Sequence, residues 1–454
     1  MSPKIKLFMR IRIVLGRAMD LISLKKAYGI ILFYSLAVLI SRLQVGVIWA
    51  GDTQQYIEKS VIRSPIYPLI IDFFKYLFRP YEFIALICFQ LIFVLFAAFY
   101  LSHLLWKKFN LHPITFILLN IFLSVPLLSC SVAVGIHGKI GNHILTEAIT
   151  YGLLLFVISF LVETIFTDER RDFIIILLLI ATLTLIRTPM IYLYAIVASL
   201  IWHRYWRYRD ISLLAGFVVL TISIVLIADF GERFYHKTVN NYFGKISRSA
   251  SHMLVGAVYI SDKHALSLIE NTDDREVLRR TYDHLENRKL LAKQRYEIKR
   301  RLVDVYDDNF CYIQTTIEIS FQEVFSLQRG EDRMYLEYED FSQRLVPILV
   351  RHYYMDFSKL MLLKFLYTLN FREGFFIASF LLFPFVKFSR ELKIFAIFVL
   401  LMLVANRIMM TPIIFMNERY LFYSDILEYV ILIIMAEQYL KSCKCHRVPV
   451  PSQT

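Results

Sequence analysis

The chain has 454 residues, of which 57% are hydrophobic, and its mean hydropathy of +0.53 exceeds the values typical of water-soluble domains. The excess lies in long, nearly uncharged runs without the alternation of barrel strands, which excludes a soluble globular protein and predicts membrane-spanning helices. The net charge of +13 lies in short segments beside these runs, as membrane topology requires, so it does not indicate a nucleic-acid-binding protein.

The first part of the chain predicts four spans that alternate between the two sides of the membrane. Residues 1–27 are basic and amphipathic, which favours a cytoplasmic segment lying on anionic lipid. Basic residues after the second and fourth spans place those ends in the cytoplasm. The four spans cover about Tyr28–Trp49, Phe83–Leu105, Pro113–Val134 and Leu145–Phe166.

The stretch Phe173–Trp202 begins and ends at basic flanks, so it must cross the membrane an even number of times. Its length suffices for two short helices that turn at Arg187, Thr188 and Pro189. The proline disfavours helix at the residue before it and removes a backbone donor. We therefore expect Arg187 at the outer surface, facing a wet or protein-lined cavity.

The rest of the chain predicts a large helical insert and three further spans. The seventh span (about Ser212–Phe230) closes the segment 28–230. Residues 231–370 hold no spanning run, and acids and bases at helical spacing predict helix in stretches such as Asp274–Val305. Residues 371–440 hold three spans (about Gly374–Phe388, Leu392–Met410 and Arg419–Leu440), and residues 441–454 form a cytoplasmic tail.

The predicted fold is therefore an all-α integral membrane protein with about ten transmembrane helices and a helical extracytoplasmic insert. Both termini are expected in the cytoplasm, and the lack of a disulfide framework favours a bacterial inner membrane.

Ionisable and polar residues gather at the outer ends of the predicted spans, where their burial requires water or a partner. Carboxylates and cations on the same face suit a site for a phosphate-bearing lipid and a hydroxyl or amine nucleophile. These residues are Asp52, Tyr56 and Arg63 after the first span, His137, Lys139, His143 and Glu147 around the start of the fourth, Arg187 at the broken pair, and Arg419 and Tyr420 at the last.

Each of these residues also has a purely structural explanation. Asp52 is also explained as a helix cap or as the partner of Arg63, and Glu147 as the neutralising partner of Lys139 or a histidine. The arginines are explained as side chains that extend to lipid headgroups. The co-occurrence of all the groups on one side favours a site.

The same residues carry a resemblance to a known family. The amphipathic outer loop that contains Gly51-Asp52-Thr53, Tyr56, Arg63-Ser64-Pro65 and Tyr67-Pro68 resembles that of the multi-spanning GT-C glycosyltransferases, among them the protein mannosyltransferases and the lipid A aminoarabinose transferase. Thr146-Glu147, Arg187 and Glu418-Arg419-Tyr420 fit the same pattern. The resemblance covers about Trp49–Tyr194 well and the C-terminal part loosely, and it does not extend to residues 231–370.

The resemblance implies a transferase that moves a sugar from a polyprenyl-phosphate donor to a glycolipid, glycan or protein acceptor. It assigns the catalytic base to Asp52, while Glu147 would orient the acceptor or hold a cation. The donor phosphate would contact Arg187, Arg419, Lys139 or Arg63, and the substrate would be lined by Tyr56, His137, His143 and Tyr420. The second acid that many members carry near the first is missing here, so we expect no cofactor and no requirement for a divalent metal.

Other functions are also consistent with the sequence. A transporter would use ionisable residues at a broken helix pair, although no inverted repeat is evident. A polymerase or ligase for lipid-linked glycans would have a large outer loop with arginine and histidine near the membrane, which His236, Arg248 and His252 allow. The third alternative is a scaffold whose insert binds a partner.

Overall fold

The computed structural model describes residues 22–128, 140–246, 248–294, 301–327, 332–368, 371–380, 388–412 and 418–445. Within these ranges the fold is all-α, which confirms the predicted class, and the only β pairing is an isolated bridge between Ile48 and His143. Five of the described helices are long and apolar enough to cross a membrane. The count of ten spans and the sidedness stay predictions.

The first four helices of the described chain include two that belong to the outer loop. Helix α1 (Leu24–Val45) leads into the loop, which holds the short helix α2 (Thr53–Ile57) and the helix α3 (Ile66–Phe78). Helix α3 is amphipathic, with Tyr67, Ile71 and Phe74 buried while its other face exposes large apolar side chains, as expected for a helix in the membrane interface. Helix α4 (Glu82–Lys108) follows.

The next helices contain the broken pair. Helices α5 (Pro113–Leu128) and α6 (Glu147–Thr167) are separated by residues that include a 3₁₀ turn at Ile140–Asn142. Helix α7 (Arg170–Ile186) ends before Arg187, and the 3₁₀ segment Thr188–Leu193 leads directly into α8 (Tyr194–Tyr208). The turn thus lies where Pro189 predicts it. Helix α9 (Ile211–Val239) continues beyond Phe230, the predicted end of the seventh span.

The described residues of the predicted insert, 231–370, have their own hydrophobic core. The α-helices that follow α9 among these residues are α10 (Ser249–Ile260), α11 (Thr272–Asn287), α12 (Leu302–Phe325), α13 (Asp332–His352) and α14 (Tyr354–Thr368). Buried apolar residues from all five form one cluster, which is separate from the cluster that holds the membrane helices together. The single helix expected over Asp274–Val305 is wrong, because α11 ends at Asn287 and is followed by Lys289 in a left-handed conformation with φ 56°.

Three helices complete the described part of the chain: α15 (Phe371–Ser379), α16 (Arg390–Met410) and α17 (Glu418–Cys445). Helices α16 and α17 pack against each other, and their apolar residues join the membrane core. Most of the basic N-terminal segment and most of the predicted tail lie outside the described residues.

Backbone contacts bring the outer loop beside the start of α6. The Asn142 amide donates to the carbonyl oxygens of Arg42 and Gly46 at 2.7 and 2.8 Å, so it satisfies groups that the end of α1 leaves open. The Ile48 N–H donates to the Asn142 carbonyl at 2.8 Å. The end of the first span and the segment before α6 are therefore fixed to each other, which determines the position of the loop that follows.

Candidate functional site

A cavity of about 260 Å³ lies where the outer loop, the α7–α8 turn and the beginning of the insert meet. Its lining combines charged groups with hydroxyl, amide, imidazole and apolar side chains. The lining residues are Asp52, Tyr56, Ile62, Arg63 and Ser64 from the loop, Thr146, Ile186, Arg187, Thr188 and Pro189 from the membrane helices, Ile246, Arg248, Ser249, His252 and Gln314 from the insert segment, and Met409 from α16.

The loop contributes an acid and a base in direct contact. The Arg63 Nη2 atom lies 2.7 Å from Asp52 Oδ1, and the side chain of Asp52 retains 36% of its exposure. The same guanidinium donates to the Gln55 amide oxygen at 2.9 Å and lies over the Tyr56 ring at 4.7 Å from its centroid. Arg63 is thus held on several sides, and the Asp52 carboxylate beside it is accessible from the cavity.

The position of Asp52 is set by the residue that follows it. The Thr53 hydroxyl is buried, accepts a bond from the Ala50 N–H at 3.0 Å and donates to the Ile144 carbonyl at 3.3 Å. Asp52 lies at the N-cap position of α2, but its side chain makes no capping hydrogen bond there. Thr53 therefore anchors the loop, and the Asp52 carboxylate is directed to Arg63 instead of the helix end.

The membrane helices contribute a buried ion pair beneath the loop. The Arg187 Nη1 donates to Glu147 Oε1 at 2.6 Å and to the Thr146 hydroxyl at 3.2 Å. The Glu147 side chain is fully buried and that of Arg187 retains 7% exposure. Arg187 also lies 5.6 Å from the centroid of the Tyr423 ring. Arg187 lines the cavity and Glu147 does not, so this ion pair connects Glu147 to the cavity lining.

The insert contributes one side of the cavity. The resemblance to the glycosyltransferases assigns no role to the residues on this side. Arg248 adopts a left-handed conformation with φ 54° just before α10, and its Nη2 lies 3.3 Å from Glu318 on α12. His252 lies one turn into α10, where burial, together with the cations Arg248 and Lys364, lowers its pKa to about 3. The sequence pointed to Arg248 and His252 only through the ligase alternative, and to Gln314 not at all.

The remaining predicted site residues lie elsewhere or outside the described part of the chain. His143 is fully buried and does not line the cavity, and its carbonyl accepts from the Gln90 amide at 3.1 Å. His137 and Lys139 lie outside the described residues. Arg419 and Tyr420 belong to the first turn of α17, but the placement of their side chains lies outside what the structure describes.

A second polar group inside the membrane region was missed from the sequence. The Arg407 Nη2 lies 3.0 Å from Asp425 Oδ1, and the Asn406 amide donates to the Ser424 hydroxyl at 3.2 Å. Glu428, one turn further along α17, is fully buried. Ionisable residues are uncommon inside membrane spans, so their presence in the predicted spans is a signal from which this group could have been predicted.

Among the described residues, no group of three or more His, Cys, Asp or Glu side chains could hold a metal ion. No protein-family model matches the chain, and no curated protein and no solved structure matches it either.

Proposed function

We propose that this protein is an integral membrane glycosyltransferase that moves a sugar from a polyprenyl-phosphate donor to a hydroxyl or amine of a glycolipid, glycan or protein. The observation that carries the proposal is one cavity in which the Asp52 carboxylate lies beside Arg63 and shares the lining with Arg187. Such a cavity offers a base for the acceptor and cations for the phosphate of the donor.

The proposed topology places this cavity outside the cytoplasm of a bacterial cell. About ten spans, with basic residues in the short loops of the opposite side, leave both termini in the cytoplasm of a bacterial inner membrane. The insert then lies on the outer side together with the first loop. Contacts between the two, such as the bond from Ser60 to Asp332 at 2.9 Å, are consistent with this arrangement.

The reaction in this proposal is a single displacement. The acceptor oxygen or nitrogen attacks the anomeric carbon and forms the new glycosidic bond, while the bond from that carbon to the phosphate oxygen breaks. The bonding electron pair leaves with the lipid phosphate, and the acceptor proton passes to Asp52. The guanidinium groups of Arg63 and Arg187 stabilise the charge on the departing phosphate. Attack opposite the leaving group inverts the anomeric centre.

The ion pair between Asp52 and Arg63 connects the proposed base to the proposed donor site. A phosphate that takes up part of the Arg63 guanidinium competes with Asp52 for the same N–H donors. Donor binding would therefore weaken the contact of Asp52 with Arg63 when the acceptor is bound.

The test is sugar transfer by membranes that contain the Asp52→Asn chain and are supplied with polyprenyl-phosphate sugars. Because the amide cannot accept the proton, we expect transfer to fall by about 100-fold or more. The matched control is Glu58→Gln, since Glu58 lies in the same loop, is exposed and is not part of the cavity lining. Equal transfer by the wild-type and Asp52→Asn chains at equal expression would remove Asp52 from the mechanism, and solute uptake without any transfer would favour a transporter.

A polymerase or ligase for lipid-linked glycans is the second candidate. It is favoured by one observation, which is that Arg248 and His252 of the insert line the same cavity as Asp52. The two candidates differ in the size of the transferred group. Transfer of a lipid-linked oligosaccharide in preference to a single lipid-linked sugar would favour the ligase.

A further inference from the structure

The two sides of the cavity differ in chemical character. The membrane side presents the charged groups of Asp52, Arg63 and Arg187. The insert side presents the neutral hydrogen-bonding groups of Ser249, His252 and Gln314, next to Arg248. A ligand with a charged end and a hydroxyl-rich end would find a matching surface at each side.

Gln314 is held in a defined orientation by its own helix. Its Nε2 donates to Glu318 Oε1 at 2.9 Å, one turn further along α12. A carboxylate can only accept, so this bond fixes which end of the amide is the nitrogen. The carbonyl oxygen of Gln314 is therefore the acceptor available to a hydroxyl group. Glu318 also pairs with Arg248, so one carboxylate orients two residues of the lining.

His252 is a neutral hydrogen-bonding group in this cavity. The groups that face it are mainly cations: Arg248, Lys364 and Arg63 oppose its protonation, and Asp52 alone favours it. With its pKa lowered to about 3, the imidazole carries no charge between pH 5 and 8. A neutral imidazole has one N–H donor and one acceptor nitrogen, which suits a sugar hydroxyl. Because its pKa is so low, the imidazole is also a weak base and is poorly suited to take up a proton.

The start of helix α10 does not supply the anion site on this side. The N–H groups of Ala250 and Ser251 both donate to the Glu339 carboxylate, each at 3.3 Å. Glu339 is buried, so it satisfies the helix end in place of a ligand. On the insert side, a ligand is therefore recognised by the side chains of the lining and not by the N-terminus of α10.

The volume of the cavity sets the size of the group that it can enclose. Its 260 Å³ lies just below the range of about 300–1,000 Å³ that is typical of small-molecule sites. A single sugar is closer to this size than a chain of sugars. The rest of a longer ligand would extend into the lipid or into solvent.

We propose that the insert recognises the transferred sugar. His252 and Gln314 bind hydroxyl groups of this sugar, while Arg63 and Arg187 bind the phosphate of the donor. The inference rests on the proposed function, and it adds the group recognised and the residues that select it. The preferred donors therefore carry sugars with neighbouring hydroxyl groups on the side that faces α10 and α12. Donors whose deoxy sugar lacks one of these hydroxyl groups are poor substrates.

The experiment compares donor saturation for a panel of polyprenyl-phosphate hexoses, pentoses and their deoxy analogues. We expect Gln314→Leu to raise the KM for the preferred donor by about tenfold, because one hydrogen bond to the sugar is lost. The preference for that donor over the analogue without the bound hydroxyl should shrink by a similar factor. His252→Gln keeps a donor and an acceptor at the same site, so it should retain more of the preference than His252→Leu.

The control is Gln343→Leu, which makes the same change at an exposed position of α13 outside the cavity. Elution of each variant as a single species in detergent shows whether it has folded, and the readout is the ratio between donors, which a simple loss of folded enzyme does not change. If the wild-type chain transfers sugar but Gln314→Leu and His252→Leu leave KM and donor preference unchanged, the sugar-recognition proposal is wrong and the transferase proposal stands. If the wild-type chain transfers no member of the panel, the transferase proposal itself fails.

Discussion

Each of the three arginines that line the cavity is paired with a carboxylate of its own. The partners lie 2.6 to 3.3 Å away, and the pairs become more buried from the loop towards the membrane core. A guanidinium has five N–H donors, more than one carboxylate can accept, so pairing is compatible with binding an anion. The pairs are Arg63 with Asp52, Arg187 with Glu147 and Arg248 with Glu318.

The buried pair at Glu147 should contribute strongly to stability. Replacing Glu147 with alanine leaves the Arg187 guanidinium in a buried site without its closest carboxylate, and we expect a loss of about 3 kcal/mol in the free energy of unfolding. The matched control is Glu163→Ala on the same helix, where the partner Lys108 lies 2.6 Å away but both side chains are partly exposed. That pair should be worth less than about 1 kcal/mol.

The measurement for this prediction is the apparent Tm of the purified variants in one detergent. Glu147→Gln should lie between the wild-type and Glu147→Ala chains, since the amide oxygen still accepts a hydrogen bond. A similar shift for Glu147→Ala and Glu163→Ala would contradict the argument from burial.

Individual contacts of the site could be predicted from the sequence only where the residues are close along the chain. Asp52 and Arg63 share one loop, and their pairing was among the expected alternatives. The structural explanation considered for Glu147 was a pair with Lys139 or a histidine, whereas its described partner is Arg187, 40 residues away in sequence. Such a partner follows from how helices pack, which the periodicity of the sequence does not specify.

At the scale of elements, one aspartate connects the insert to the outer loop. Asp332, at the first turn of α13, accepts from the Ser60 hydroxyl at 2.9 Å and from the Val61 N–H at 3.0 Å. It also accepts from the Asn240 amide at 3.2 Å, just after the end of α9. One carboxylate therefore contacts both the outer loop and the segment that follows α9. Its contacts in the loop lie close in sequence to Asp52 and Arg63.

Removing this carboxylate should loosen the loop without unfolding the membrane region. Asp332→Ala leaves the part-buried Val61 N–H without its acceptor, at a cost of about 2 kcal/mol. We expect amide hydrogen exchange of a peptide covering residues 55–65 to become at least tenfold faster, because 1.4 kcal/mol corresponds to a factor of ten. Mass spectrometry of the detergent-solubilised protein provides the measurement.

Asp340→Ala serves as the comparison for the loop, since Asp340 is exposed on the same helix. Its exchange in residues 55–65 should equal that of the wild-type chain. Unchanged exchange in the Asp332→Ala chain would show that other contacts hold the loop to the insert.

The elements themselves were predicted where a strong local signal exists. Pro189 predicted the turn between α7 and α8, and the apolar runs predicted the long helices. The break after Asn287 was not predicted, because acids and bases at helical spacing continue through it. The end of α9 was also misplaced, since Arg233 pairs with Asp229 one turn earlier and helix continues through the polar residues.

At the scale of the whole molecule, the helices that are long and apolar enough to span a membrane differ in how much protein surrounds them. In the most apolar part of Glu147–Thr167, 67% of the residues are buried, against 11% for Leu24–Val45 and 6% for Leu214–Val239. The first of these helices lies at the centre of the membrane core, and the other two expose apolar side chains suited to lipid. Hydropathy predicts that all three span the membrane but does not distinguish centre from periphery.

The sidedness of the insert decides whether the proposed site faces lipid-linked donors outside the cytoplasm, and a native cysteine can test it. Cys311 is exposed on α12 of the insert, so a membrane-impermeant thiol reagent should label it in intact cells. The chain used has serine in place of the other cysteines. Lys107 is exposed at the end of α4, which is predicted to lie in the cytoplasm. A cysteine at this position, in a chain without Cys311, reports on the opposite side of the membrane.

Because positive residues in short loops orient the spans, we expect the Lys107→Cys chain to be labelled only after the membrane is permeabilised, and Cys311 equally before and after. Each chain is compared with itself before and after permeabilisation, so differences in expression do not imitate this pattern. Labelling of Cys311 only after permeabilisation would place the insert and the Asp52 cavity in the cytoplasm. The donor and acceptor proposed here would then lie on the wrong side of the membrane.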